Sequence, residues 1–181
     1  MLGYLWRVQE DLQVRYLRLY DQHTERIASD LVGFDKEAFN RPLKHGLNPD
    51  AEAWTPGQVV AHLLLAERGT LQLMQRAGHI EPGRAADAQC GVIEQRLLNS
   101  DLVLSASDRL MPPLQNYKLA DSLDELMDSR AEIRVALDFA DDPAILADAY
   151  DHPVLGVLTV LEWLHFTALH GERHRRQIKR G

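Results

Sequence analysis

The sequence predicts an all-α protein: a bundle of four long helices with a long, partly helical connection between the second and the third. Three observations predict it. Apolar residues recur at spacings of three and four through separate long segments, three helix starts carry a capping-box pattern, and no stretch alternates polar and apolar residues as a half-buried strand would. Of 181 residues, 45% are hydrophobic and 26% charged. That is enough apolar surface for a single core without disulfides or a structural metal, so residues 1–181 read as one domain.

The first helix covers about Leu2 to Asp30, with Leu5, Val8, Leu12, Tyr16, Leu19 and Ile27 on its apolar line and no proline before Pro42. The stretch from Gly33 to Ala53 carries Pro42, Gly46 and Asn48-Pro49-Asp50, a connection with room for one short helical turn. Thr55 then stands as an N-cap, Pro56 takes the first helical position, and Gln58 completes the box. Trp54 and Val59 form a hydrophobic staple around that start, and the helix runs to about Ala77 before Gly78. Between Ile80 and Leu119 the pattern supports one short helix, Val92 to Leu98, and a stop at Pro112-Pro113. Ser122 with Glu125 opens a third long helix that ends near Phe139. Asp142-Pro143 and the segment His152-Pro153 to Gly156 mark the next loop, after which Thr159 with Glu162 opens a helix reaching Ile178 or beyond.

Twenty basic against 27 acidic residues give a net charge of −7, which argues against nucleic acid as a partner. The five basic residues from Arg173 to Arg180 fall where a helix C-terminus favours cations. No apolar run approaches a membrane span, and the N-terminal segment mixes Arg7, Glu10, Asp11, Arg15 and Arg18 into its apolar positions, so neither a membrane partner nor an export signal is expected. The single cysteine, Cys90, excludes an internal disulfide and a Cys-rich zinc finger, and fits a reducing, cytoplasmic setting. It shows no basic or helix-start context that would activate the thiol.

The histidines carry the chemical signal. His170 and His174 are four apart, which on a helix puts their side chains on one face with Cβ atoms about 6 Å apart. The same face collects Trp163, Phe166, Thr167, Gln177 and Ile178, whereas Glu172, Arg175, Arg176 and Lys179 are expected to be exposed. His62 is flanked at helical offsets by Val59, Leu65, Ala66 and Gly69, with Glu67 and Arg68 pointing elsewhere. Three inward imidazoles from two helices make a nitrogen-only metal site that leaves coordination positions open; ordinary core polarity is the alternative.

Other patterns fail. His170-Gly171-Glu172-Arg173-His174 lacks the glutamate that must directly follow the first histidine of a zinc-protease motif. Glu162-Trp163-Leu164-His165 spells half of one ferritin-like di-iron motif, and Glu162 is better used as the cap partner of Thr159. His165 lies about 140° around the helix from His170 and is expected at the surface or an interface. Gln177, one turn past His174, and His23, near the apolar line of the first helix, are candidates to orient a ligand ring. Arg130 and Arg134 are candidates to hold an anionic substrate group, against a simpler salt-bridge role. His45, His79 and His152 sit in expected loops without a spacing signal, and there is no GxSxG elbow, P-loop or GxGxxG.

Taken together, Trp54-Thr55-Pro56-Gly57-Gln58-Val59-Val60-Ala61-His62-Leu63, then His152-Pro153-Val154-Leu155-Gly156-Val157-Leu158-Thr159 and Trp163, then His170, Arg173, His174, Gln177 and Ile178 resemble the DinB/YfiT-like superfamily across essentially the whole chain. The resemblance implies an up-down-down-up four-helix bundle in which His62, His170 and His174 bind a divalent ion such as nickel, zinc, iron or manganese. It also implies a small-molecule substrate, frequent homodimers, and hydrolase or transferase activities that use low-molecular-weight thiols such as bacillithiol or mycothiol. The expected function is therefore a metal-dependent hydrolase or thiol S-transferase. The alternative is a non-catalytic, stress-related helical-bundle dimer or a small-molecule binding protein. Glu67 and Glu172 are the carboxylates nearest the ligands in sequence, and the helical wheel turns both away from the ligand face, so no general base is assigned.

Overall fold

The structure is a computed structural model and describes residues 2–44, 53–74, 83–99, 106–138 and 148–180. Helix α1 (Leu2–Leu31) is followed by a one-turn helix α2 (Lys36–Phe39), which Asp35 caps by accepting from the Ala38 N–H at 2.7 Å. Helix α3 (Pro56–Met74) opens on the expected box: the Gln58 N–H donates to Thr55 Oγ1 at 3.1 Å, and the Thr55 N–H donates to Gln58 Oε1 at 3.0 Å. The connection carries helix α4 (Cys90–Leu98) and a 3₁₀ turn (Asp108–Leu110) before helix α5 (Leu119–Asp138). Helix α6 (Val160–Arg180) opens on the Thr159–Glu162 box, with reciprocal bonds of 3.1 and 2.9 Å. The expected helix ends at Ala77 and Phe139 and the turns at Asn48-Pro49-Asp50 and Asp142-Pro143 lie outside the described residues.

Among the described residues the fold is helical with one two-stranded hairpin. Helices α1, α6, α3 and α5 pack as a closed ring of neighbours, α1 on α6, α6 on α3, α3 on α5 and α5 on α1, and α4 lies outside against α6. Three groups of buried side chains fill the ring and its flank. One surrounds Tyr16, Tyr20, Ile133 and Leu164; a second surrounds Ile27, Phe39, Val59, Leu63 and Leu126; the third joins Ile93 and Leu97 of α4 to Leu158, Trp163 and Phe166. Fully burying each Leu, Ile or Phe contributes about 1.5–3 kcal/mol relative to leaving it exposed.

Three local expectations need correction. Residues 149–159, read as a loop without strand character, form an antiparallel hairpin of β1 (Ala149–His152) and β2 (Gly156–Thr159), with Gly156 at φ 76° just past the turn. Four-residue strands are too short to display alternation, and this pair is held from outside, because Leu158 and Thr159 are fully buried and β2 packs on α6. Helix α5 starts at Leu119, so Ser122 lies within its first turn and donates its N–H to Lys118 O at 3.0 Å instead of capping. Helix α4 starts at Cys90, two residues before the expected Val92, because Gln89 and Cys90 already continue the turn begun at Ala85.

Candidate metal centre

The two capping boxes set the phase of the two helices that carry the histidines. With α3 started at Pro56, His62 faces the interior two turns in; with α6 started at Val160, His170 and His174 share a face one turn apart. His62 and His174 are buried and His170 is half-buried. His170 Nε2 lies 3.0 Å from His174 Nε2 and 3.3 Å from His62 Nε2, and the three candidate ligand atoms all fall within 4.8 Å of one another. Two nitrogens each about 2.0–2.1 Å from a common ion, at angles between octahedral and tetrahedral, stand about 2.8–3.4 Å apart. The two spacings from His170 meet that requirement.

One of the three donors has its tautomer fixed by the fold. His62 Nδ1 sits 2.8 Å from the Leu110 carbonyl, which only accepts, so Nδ1 carries the proton and Nε2 of the neutral ring is bare. Burial pulls the His62 pKa below the ordinary histidine value against the opposing pull of that carbonyl. Burial followed by the neighbouring His174 and His62 holds His170 well below it, and burial followed by His62 brings His174 down to about 3. All three rings are therefore neutral at pH 7, with lone pairs that favour a cation and disfavour a proton.

Aromatic rings enclose the centre. Trp54 packs on His62 with centroids 5.0 Å apart, and Phe166 stacks on His170 at 5.4 Å with planes 13° from parallel. His152, at the end of β1, lies 4.5 Å from Phe166 and 4.7 Å from Trp163. Burial brings its pKa down to about 4. Histidine spacing does not single out His152, which enters the sequence reading as the first residue of the His152–Thr159 segment of the family resemblance.

The remaining candidates divide. Gln177 is beside His174 and its amide pulls that ring's pKa upward, although Gln177 Oε1 and His174 Nδ1 lack a well-aligned hydrogen bond. His23 is buried but faces Glu172, with Nδ1 3.4 Å from Glu172 Oε2, and no described contact joins it to a ligand ring. Arg130 is 2% exposed; its Nε and Nη2 donate to Glu67 Oε1 at 3.0 and 2.7 Å and its Nη1 to Thr24 Oγ1 at 2.8 Å. Arg134 donates to Asp21 Oδ2 at 2.8 Å on the half-exposed face. Both guanidiniums are thus paired with carboxylates of this chain, the salt-bridge role set beside the substrate role in the sequence reading.

Glu67 and Glu172 do point away from the ligands, but they are buried, not exposed. Glu172 accepts from Arg175 and Arg176 of its own helix, which hold its carboxyl down to about pKa 2. His165 is likewise buried, packed edge-on against Tyr16 at 5.0 Å, because α1 and α4 cover the side of α6 that the wheel assigned to the surface. Both oxygens of Glu162 are taken by Arg84, with Gln89 N–H and Thr159 N–H as further donors, in keeping with its capping role. Cys90 does stand at a helix start, yet burial pushes its thiol up to about 11, so it stays protonated. His45 and His79 lie outside the described residues.

A helical bundle with a buried trio of histidines that could hold a metal ion is the class this fold and site define. The DinB superfamily profile matches residues 19–178, and the chain belongs to that superfamily. No curated protein matches the chain, and no solved structure does. No helix among the described residues is long and apolar enough to cross a membrane.

Proposed function

We propose that the protein is a divalent-metal-dependent enzyme, a hydrolase or thiol S-transferase, whose metal is held by His62, His170 and His174. The observation that carries this reading is the convergence of three neutral imidazole nitrogens at 3.0 and 3.3 Å spacings inside an aromatic shell. A divalent ion bound there lowers the pKa of a coordinated water or thiol and so supplies a nucleophile at neutral pH. The chain's own residues prepare the place for it. The Leu110 carbonyl holds the His62 proton on Nδ1, Phe166 keeps the His170 ring flat against it, and Trp54 shields His62 from bulk water. A nitrogen-only donor set suits nickel, zinc and iron, with manganese retained from the family resemblance. The proposal extends to a small-molecule substrate, a low-molecular-weight thiol as cosubstrate, a homodimeric state and a cytoplasmic setting. These finer parts are supported by the family resemblance, and the setting also by the single, unpaired cysteine.

The carboxylates nearest the ligands favour a second reading, a binding bundle without chemistry, because Glu67 and Glu172 are both committed to arginines and neither is free to act as a base. Turnover decides between the two. Protein reloaded separately with nickel, zinc, iron or manganese should hydrolyse activated esters or transfer a small thiol to an electrophile. Both activities should be absent from chelated protein and from His174→Ala. Full metal occupancy without metal-dependent turnover in either assay would favour the binding reading.

A further inference from the structure

We infer that His152 is the hydrogen-bond donor that orients an oxygen-bearing ligand at the three-histidine centre, an inference that rests on the metal reading above. His152 Nδ1 accepts the backbone N–H groups of Val154 at 3.1 Å and Leu155 at 3.2 Å. Those two donors require a bare Nδ1, so the neutral ring carries its proton on Nε2. Among the described residues Nε2 has no hydrogen-bond partner, and it is not one of the buried, unpartnered atoms sealed from solvent, as Tyr20 Oη and His174 Nδ1 are. The backbone of the turn therefore occupies one ring nitrogen and leaves the other as a donor.

What lies around that N–H defines the ligand. The ring packs between Trp163 at 4.7 Å and Phe166 at 4.5 Å, and Phe166 in turn stacks on the ligand histidine His170. A charge on His152 would be felt by His170. A neutral N–H on an aromatic wall one ring removed from the centre fits a carbonyl or carboxylate oxygen whose apolar body rests on Trp163 and Phe166. Such a group gains orientation from the donor without a charge that would repel the bound cation.

The two nitrogens of His152 can be separated by substitution. His152→Asn keeps an oxygen where Nδ1 accepts the turn amides, as an Asx turn does, but has nothing to reach the position of Nε2. His152→Gln keeps an N–H near the Nε2 position and gives up the turn. The test uses zinc-loaded protein with benzohydroxamate as the probe, and measures zinc content, probe affinity and thermal unfolding for wild type and both variants. The expected result is unchanged zinc and melting for His152→Asn with affinity about tenfold or more weaker, as loss of one hydrogen bond allows. His152→Gln should melt lower while holding affinity within about threefold of wild type. Wild-type affinity in His152→Asn at full zinc occupancy, or lost affinity in His152→Gln alone, would overturn the inference and leave His152 as a turn latch. A wild-type protein that takes up no zinc would instead overturn the metal reading, and this inference with it.

Discussion

His62 Nδ1 stands 2.8 Å from the carbonyl oxygen of Leu110, a residue 48 positions along the chain in a 3₁₀ turn. That single contact fixes which nitrogen of His62 is bare, and it joins the connection between α3 and α5 to the three-histidine cluster. A ligand histidine pinned in this way loses little freedom when an ion arrives.

Acid should unfold the protein earlier than an ordinary bundle. Burial depresses six of the eight histidines, His23, His62, His152, His165, His170 and His174. Between the unfolded value near 6.5 and the lower native value, the unfolded chain binds protons that the native chain refuses, so stability is full above that window and falls as pH falls through it. His152 and His174, with native values of about 4 and about 3, each remove about 2 kcal/mol between pH 6.5 and pH 5. Urea unfolding of chelator-treated protein at about pH 7.5 and about pH 5 measures this, and equal stabilities would contradict the assigned burial of these rings.

Two helical glycines should respond oppositely to alanine. Gly69 is exposed on α3 with nothing within 4 Å of an added Cβ, so Gly69→Ala gains about 0.5–1 kcal/mol from helix propensity. At Gly171 the same Cβ would stand 2.7 Å from Arg130 Nη2 and 3.0 Å from Ile27 Cδ1. Arg130 cannot swing aside without leaving Glu67 and Thr24, so overpacking outweighs propensity and Gly171→Ala destabilises by about 1–2 kcal/mol. Thermal melts of the two variants beside wild type give the signs directly.

The buried Arg130–Glu67 pair should behave as a unit. Burial pushes the Glu67 carboxyl upward in pKa, and the Arg130 charge and hydrogen bonds oppose that push. Arg130→Met alone leaves an uncompensated buried acid and costs about 3–5 kcal/mol, whereas Arg130→Met with Glu67→Leu recovers most of that loss. A double-mutant cycle by chemical unfolding checks it, and additive losses would contradict the coupling.

What the sequence reveals here is what is local. The boxes at Thr55/Gln58 and Thr159/Glu162 each close over three residues, so they mark the starts of α3 and α6 and with them the phase that brings His62, His170 and His174 together. Ser122/Glu125 has the same pattern but sits inside a helix already begun at Leu119, since the motif does not say whether the chain before it is extended. The readings that failed depend on neighbours distant in sequence. The wheel that puts Glu172 among exposed charges and His165 at the surface or an interface assumes one apolar face, while α6 is covered on several sides and Glu172 finds partners on its own helix and on α1. Spacing alone does not mark His152, because its place beside Trp163 and Phe166 depends on a short hairpin packed on α6.

The most direct test of the account is elemental analysis of untagged protein purified without added metal or chelator, beside His62→Ala and His170→Ala/His174→Ala. The account predicts about one divalent ion per chain in the wild type and almost none in either variant, with helical content retained in all three. A wild type that carries no metal and takes up no nickel, zinc, iron or manganese would contradict it.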